Sequence, residues 1–204
     1  FDATGLHVLP GVIDSQVHFR EPGLTHKEDL GSGSACAALG GVTTYFEMPN
    51  TQPSTDSAER LAWKVARALQ TSWVDFAFYV GATHENADAL GELEQLPGCA
   101  GVKMFLGSST GNLLVADEPT LRRVLKSGRR RVACHSEDDE RLKERRPLAE
   151  GKQVHFHPEW RDEEVAVRST RRLLALAREC GRPVHVLHVT SAGETSLYDF
   201  AREI

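Results

Sequence analysis

Short apolar runs alternate with helical patterns six times along this chain, and that alternation restricts the fold more than any other property. The runs cover residues 12–19, 42–48, 74–80, 101–105, 132–135 and 184–189. Most are rich in β-branched or aromatic residues and read as strands. The intervening stretches read as helices. One spans 27–39, capped by Thr25 and closed by Gly40-Gly41. Others span 58–69 behind Asp56 or Ser57, 87–94, and 118–125 with Pro119 in its first turn. The longest spans 163–180 and is closed by Gly181, and a last helix starts at about Glu194. Strand, helix, strand throughout predicts a parallel sheet with crossover helices. The longest irregular segment, 138–160, is expected to run over the active face.

Six such units suit two architectures: a barrel two units short of eight-stranded closure, or a doubly wound open sheet. The polar residues separate them. His18 and Arg20, Asn50, His84, Lys103, His135 and His188 gather toward the C-terminal ends of nearly every strand. An open sheet collects ligands at one switch point. Functional groups on most strands need a ring that brings the tips to one centre. No Gly-x-Gly-x-x-Gly follows the first strand, which leaves a dinucleotide fold little support. The expected class is therefore α/β, a TIM (β/α)8-type barrel with about its first six βα units. It is read as a single partial domain over 1–204, with the last barrel units and the flanking β-sandwich segments missing.

Composition trims the list of functions. Lys plus Arg number 24 against 29 Asp plus Glu, a net charge of -5, which argues against a nucleic-acid surface. Arg129-Arg130-Arg131 and Arg145-Arg146 read as solvated faces. Cys36, Cys99, Cys134 and Cys180 form no C-x-x-C pair, which suits a reduced, cytoplasmic setting. No run of about 18 apolar residues and no signal-peptide pattern is present, so no membrane partner is expected. The first residue is Phe1, and the N-terminus reads as trimmed.

His18, His135 and His188 each close a different strand. One such histidine is ordinarily a structural hydrogen-bonding residue. Three of them on a barrel converge within metal-binding distance, and neutral imidazole suits zinc. Lys103 lies inside an apolar strand, where an unpaired ammonium costs several kcal/mol. Two readings stay open for it. Either it snorkels or pairs with a carboxylate, or it is carbamylated by carbon dioxide into an anion able to bridge two metals. Arg20 stands two residues beyond His18, beside the rigid Pro22-Gly23 turn, and its planar fork suits a substrate carboxylate. Asn50 closes the second strand as a turn residue or as a reader of a substrate amide. The polar run Gly107-Ser108-Ser109-Thr110-Gly111 suits an anion but lacks the lysine and spacing of a P-loop. His84, His155, His157 and His185 have no clear partners and read as structural or surface residues. Cys134 and His135 fall on opposite strand faces, which excludes a nucleophile pair.

Several motifs occur in order. They are Pro10-Gly11-Val12-Ile13-Asp14, His18-Phe19-Arg20-Glu21-Pro22-Gly23, Gly40-Gly41-Val42-Thr43-Thr44 and Met48-Pro49-Asn50-Thr51, then Gly101-Val102-Lys103, His135-Ser136-Glu137-Asp138 and His188-Val189-Thr190-Ser191. Together they resemble dihydroorotase, in the cyclic amidohydrolase branch of the amidohydrolase superfamily. The resemblance implies a TIM barrel holding one or two zinc ions. It also implies the reversible conversion of dihydroorotate to N-carbamoyl-aspartate in pyrimidine biosynthesis, a hydrolase of the EC 3.5.2.3 class. By the same resemblance His18 matches the second histidine of a first-strand pair, and Lys103 the carbamylated bridging lysine. His135 and His188 match the ligands of the second metal, and Arg20 and Asn50 the residues that hold a substrate carboxylate. The Phe-Arg-Glu-Pro-Gly turn and the Met-Pro-Asn-Thr segment point to dihydroorotase rather than to allantoinase or hydantoinase.

Two departures accompany the resemblance. Gln16 stands where the family has the first histidine of the pair. An amide oxygen binds zinc less well than imidazole, which implies one firmly held metal or a weakened pair. The family's acid–base aspartate follows the eighth strand, beyond residue 204. The chain is therefore expected to be a portion of a longer protein and to show no turnover by itself. Two rival expectations remain. One is a non-catalytic homologue that scaffolds an aspartate transcarbamoylase partner. The other is a related cyclic ureide hydrolase such as allantoinase. A homo-oligomer acting on a small carboxylate-bearing substrate is expected.

Overall fold

All six strands form, and they pair in chain order. The computed structural model describes residues 1–108 and 111–198. Strands β1 (Val12–Val17), β2 (Val42–Glu47), β3 (Asp75–Gly81), β4 (Cys99–Phe105), β5 (Val132–His135) and β6 (Val184–Val186) make one parallel sheet in the order β1-β2-β3-β4-β5-β6. The helices between and beyond them are α1 (Leu30–Leu39), α2 (Ala58–Thr71), α3 (Leu90–Leu93), α4 (Glu118–Lys126), α5 (Asp139–Arg145), α6 (His157–Trp160), α7 (Glu163–Cys180) and α8 (Ala192–Tyr198).

Local chemistry sets the helix starts. Asp29, Ser57, Asp117, Asp138 and Asp162 each accept a hydrogen bond from a backbone N–H of the first turn of α1, α2, α4, α5 and α7. Each thereby satisfies a donor that the helix leaves without an internal partner. Gly181, at φ 65°, closes α7 in the left-handed conformation that glycine adopts without strain.

Five sequence expectations need correction. The first helix begins at Leu30 rather than Lys27, because Asp29, and not Thr25, is within reach of the Ser32 amide. The last helix begins at Ala192, ahead of Glu194. β1 ends at Val17 and β6 at Val186, earlier than expected. Arg20 and His188 take φ 67° and 64°, a left-handed backbone that no strand accommodates. Residues 138–160 are not irregular throughout; they hold α5, α6 and two 3-10 turns. Finally, Arg129, Arg130, Arg131 and Arg146 are exposed as expected, but Arg145 is half-buried rather than simply solvated. Arg130 donates to the Cys99 carbonyl at 2.8 Å and Arg145 to the Glu159 carbonyl at 2.8 Å.

Strand alternation divides the apolar residues between two cores. Tyr45, Phe78, Val102, Met104, Val132 and Cys134 pack outward against helix residues such as Leu61, Leu121 and Leu173. Met48, Tyr79, Ala133 and Leu187 pack on the inner face with Phe46 and Ala100. A sheet buried on both faces is the usual state of parallel strands. Lys103 pairs in register with Ala133 and so shares the inner face.

The sheet also curls. Laid flat, its first and sixth strands would stand ~24 Å apart. Yet inner-face residues of β2, β3 and β5 close into one cluster with Met48, just past β2, and Leu187, just past β6. Six parallel strands curled around an inner core make a partial barrel. Among the described residues no helix is long and apolar enough to cross a membrane.

Candidate active site

The C-terminal ends of the strands carry the chemistry. Three of the described residues other than glycine have positive φ: Arg20, Ser108 and His188. They follow β1, β4 and β6. Backbone strain of this kind collects at functional sites.

At the β1 tip, His18 is partly buried, and its Nδ1 lies without a hydrogen-bond partner. Burial, followed by the charges of Arg20, Lys103 and His188, pushes its imidazole down to about 4, although the neighbouring Asn50 amide works the other way. It is thus neutral at physiological pH, with a lone pair available. Asn50 Oδ1 is likewise buried without a partner. Arg20 Nη1 donates to the Asn50 carbonyl at 3.2 Å, which joins the tips of β1 and β2. The turn beneath is bolted down by Glu21. Its carboxylate accepts from Arg67 Nε on α2 at 2.6 Å and from the Leu30 amide of α1 at 2.9 Å.

Lys103 is 1% exposed, and its Nζ has no hydrogen-bond partner. The amine lies 4.3 Å from the centroid of the Phe105 ring. Neither snorkelling nor a carboxylate pair therefore describes it among the described residues. Burial pushes the amine down to about 7. Near neutral pH a large share is uncharged, the form that reacts with carbon dioxide.

At the far side, His135 Nδ1 and His188 Nε2 are 2.9 Å apart. His135 Nε2 meets Glu137 Oε2 at 2.5 Å. The carboxylate can only accept, so Nε2 carries the proton and Nδ1 presents its lone pair toward His188. Burial alone would raise Glu137. The His135 hydrogen bond and the Arg161 charge outweigh it and hold the carboxyl below its usual value. Arg161 Nη1 reaches both Glu137 oxygens at 2.9 Å, and Nη2 donates to Ser108 Oγ at 2.5 Å. The loops after β4 and β5 meet closely because position 107 is glycine: a Cβ there would stand 2.6 Å from the Glu137 carbonyl oxygen. A cavity of about 600 Å³ lies alongside, lined in part by His135, Glu137, Arg161 and His188.

Sequence reasoning assigned no role to Glu137 or Arg161. Glu137 had one signal, its spacing two residues beyond His135; Arg161 had none. His84, read as partnerless, pairs with Asp117 at 2.6 Å. His155 and His157 lie against Phe156 and Trp160. Gln16 falls in the stretch between Asp14 and Val17 where the pairing of β1 with β2 shifts register, so strict alternation does not set its face. Of the polar run after Lys103, Ser109 and Thr110 lie outside the described residues. Among the described residues, no three His, Cys, Asp or Glu side chains stand together as a metal cage. Lys103 and His18 are within electrostatic reach of His188 without touching the pair.

A family profile described as "Dihydro-orotase-like" matches residues 5–108. The chain is 35% identical over 205 residues to the allantoinase of Deinococcus radiodurans, covering 96% of this chain and 45% of that protein. It is 34% identical over 206 residues to the dihydroorotase of Methanothermobacter thermautotrophicus, covering 99% of this chain and 46% of that one. The solved L-hydantoinase of Arthrobacter aurescens superimposes with a TM-score of 0.87 at 27% identity, over 99% of this chain and 46% of that structure. The chain thus spans less than half the length of these relatives. Proteins named allantoinase, at 34–35% identity, and dihydroorotase, at 32–34%, both match it.

Proposed function

The chain belongs to the dihydro-orotase-like family of cyclic amidohydrolases, and on that premise we propose that the protein carrying it hydrolyses a carboxylate-bearing cyclic amide, dihydroorotate. The observation that carries the reading is the His135–His188 pair, 2.9 Å apart, in a sheet that also holds the buried, partnerless His18 Nδ1 and Lys103 Nζ and the Arg20 fork.

The donor set fits a zinc-like ion. Two nitrogens bound to one tetrahedral zinc stand ~3.3 Å apart; His135 Nδ1 and His188 Nε2 need only a small rotation from 2.9 Å. His18 Nδ1 and Lys103 Nζ are buried atoms without partners. When bound, zinc supplies an activated water and polarises the ring carbonyl. His135 and His188 would hold the ion, and Glu137 fixes the His135 tautomer. Lys103 would join the set as a carbamate, formed when its neutral amine adds to carbon dioxide and releases a proton to solvent. Arg20 grips the substrate carboxylate, and Asn50 supports both the carboxylate and Arg20 itself.

Allantoin hydrolysis is the second reading, favoured by the allantoinases among the relatives. Allantoin has no carboxylate for Arg20 to grip. Steady-state kinetics of the intact zinc-loaded protein, with dihydroorotate and allantoin in parallel, separate the two. Arg20→Ala is expected to raise KM for dihydroorotate by about 10- to 100-fold, the worth of a charged hydrogen bond. A wild type that turns over allantoin and leaves dihydroorotate untouched would select the second reading.

A further inference from the structure

Behind His135 and His188 runs a buried chain of hydroxyls with no part in the scheme above. Ser136, next to His135, has its Oγ 3.0 Å from Ser169 Oγ and 2.9 Å from Thr170 Oγ1, both on α7. Thr170 Oγ1 lies 2.8 Å from Glu194 Oε1, in the first turn of α8. Glu194 Oε2 accepts from Ser191 Oγ at 2.9 Å, three residues beyond His188. Ser136, Ser169, Thr170 and Glu194 are all buried. A hydroxyl has one proton, and a carboxylate only accepts. Thr170 therefore donates to Glu194 and receives from Ser136. The path runs from Ser136 through Thr170 to Glu194, and Ser191 closes it from the other side.

Among the described residues this buried carboxylate carries no ion pair. Burial of a charge without a counter-ion is unfavourable, and hydroxyl donors offset only part of it. A stripe of apolar residues would join α7 to α8 more cheaply. What an apolar stripe would not do is tie the loop after His135 to the loop after His188 by directional bonds. The His188 loop needs such a tie, because its backbone is held at φ 64°.

We infer that Ser136, Thr170, Glu194 and Ser191 form a positioning relay that sets the His135–His188 spacing for a metal ion. The inference rests on the reading that these two histidines hold that ion. Zinc titration of the purified protein by calorimetry tests it. Thr170→Val keeps the shape and deletes the hydroxyl; it should weaken zinc binding about tenfold or more, the usual loss when a supporting partner of a metal ligand is removed. Thr170→Ser restores the hydroxyl and should bind zinc within about twofold of wild type. Glu194→Gln puts an amide NH₂ where an acceptor is needed and should weaken binding like Thr170→Val; it carries the test if the valine variant does not fold. Wild-type zinc affinity in either folded variant would overturn the relay. So would a serine variant as weak as the valine one, since packing rather than the hydroxyl would then be at work. His188→Ala is the separate arm: unchanged zinc binding there would remove the metal reading itself, and the relay with it.

Discussion

Lys103 holds its amine on the inner face of the sheet, buried and without a hydrogen-bond partner. Burial brings its folded-state value down to about 7 from an ordinary 10.5. Between those values the unfolded chain binds more protons than the folded one. Stability contributed by this group is therefore complete above 10.5, falls as pH falls, and is lost below about 7. In metal-free, carbon dioxide-depleted buffer, wild type should gain about 3 kcal/mol on Lys103→Met between about pH 6 and about pH 9. Urea unfolding of both proteins at the two pH values measures this. Parallel pH dependence would mean that the amine is hydrated or paired in solution.

Helix α2 links the fold to the site at the level of the element. Its Lys64 donates to the buried Glu47 carboxylate at 2.6 Å, and its Arg67 to Glu21 beside Arg20. The helix starts where Ser57 accepts from the Arg60 amide. Ser57→Ala removes that acceptor and should lower stability by about 1 kcal/mol. Chemical denaturation reads the change, and an unmoved midpoint would show that solvent caps the helix as well as the hydroxyl does. The cap of α1 carries a different lesson. Thr25 and Asp29 are both competent capping residues, and position relative to the first helical amides decides between them.

For the whole molecule, the decisive clamp lies at the opposite end of the sheet from the histidines. Glu94 is wholly buried and accepts from the Arg129 and Arg130 amides at 2.6 Å and 3.0 Å. It also pairs with the buried Arg182 at 2.7 Å, and Arg182 donates to the Ser127 carbonyl at 2.7 Å. The segments leading into β4, β5 and β6 are thereby held together. Gly128 belongs to the clamp, since a Cβ there would stand 2.5 Å from the Glu94 carboxylate. Glu94→Ala strands a buried guanidinium and should cost about 3–5 kcal/mol of stability. Zinc affinity of the folded fraction should stay at the wild-type level. A small loss of stability would mean that water reaches Arg182.

The kind and order of the elements were legible in the chain, because hydrophobic period, caps and closing glycines act over a few residues. The strand-tip positions of His18, Arg20, Asn50, His135 and His188 were legible for the same reason. Three things were decided only by tertiary structure. Register with Ala133 put Lys103 on the inner face and left it unpaired. The curl of the sheet brought His135 to His188 across 53 positions and put His18 within electrostatic reach of His188. Close approach of loops and helices joined Glu137 to Arg161 and Thr170 to Glu194, pairs 24 positions apart. Local preference has no knowledge of such pairs; they form because a twisted parallel sheet packed on both faces bends its strand ends toward one centre.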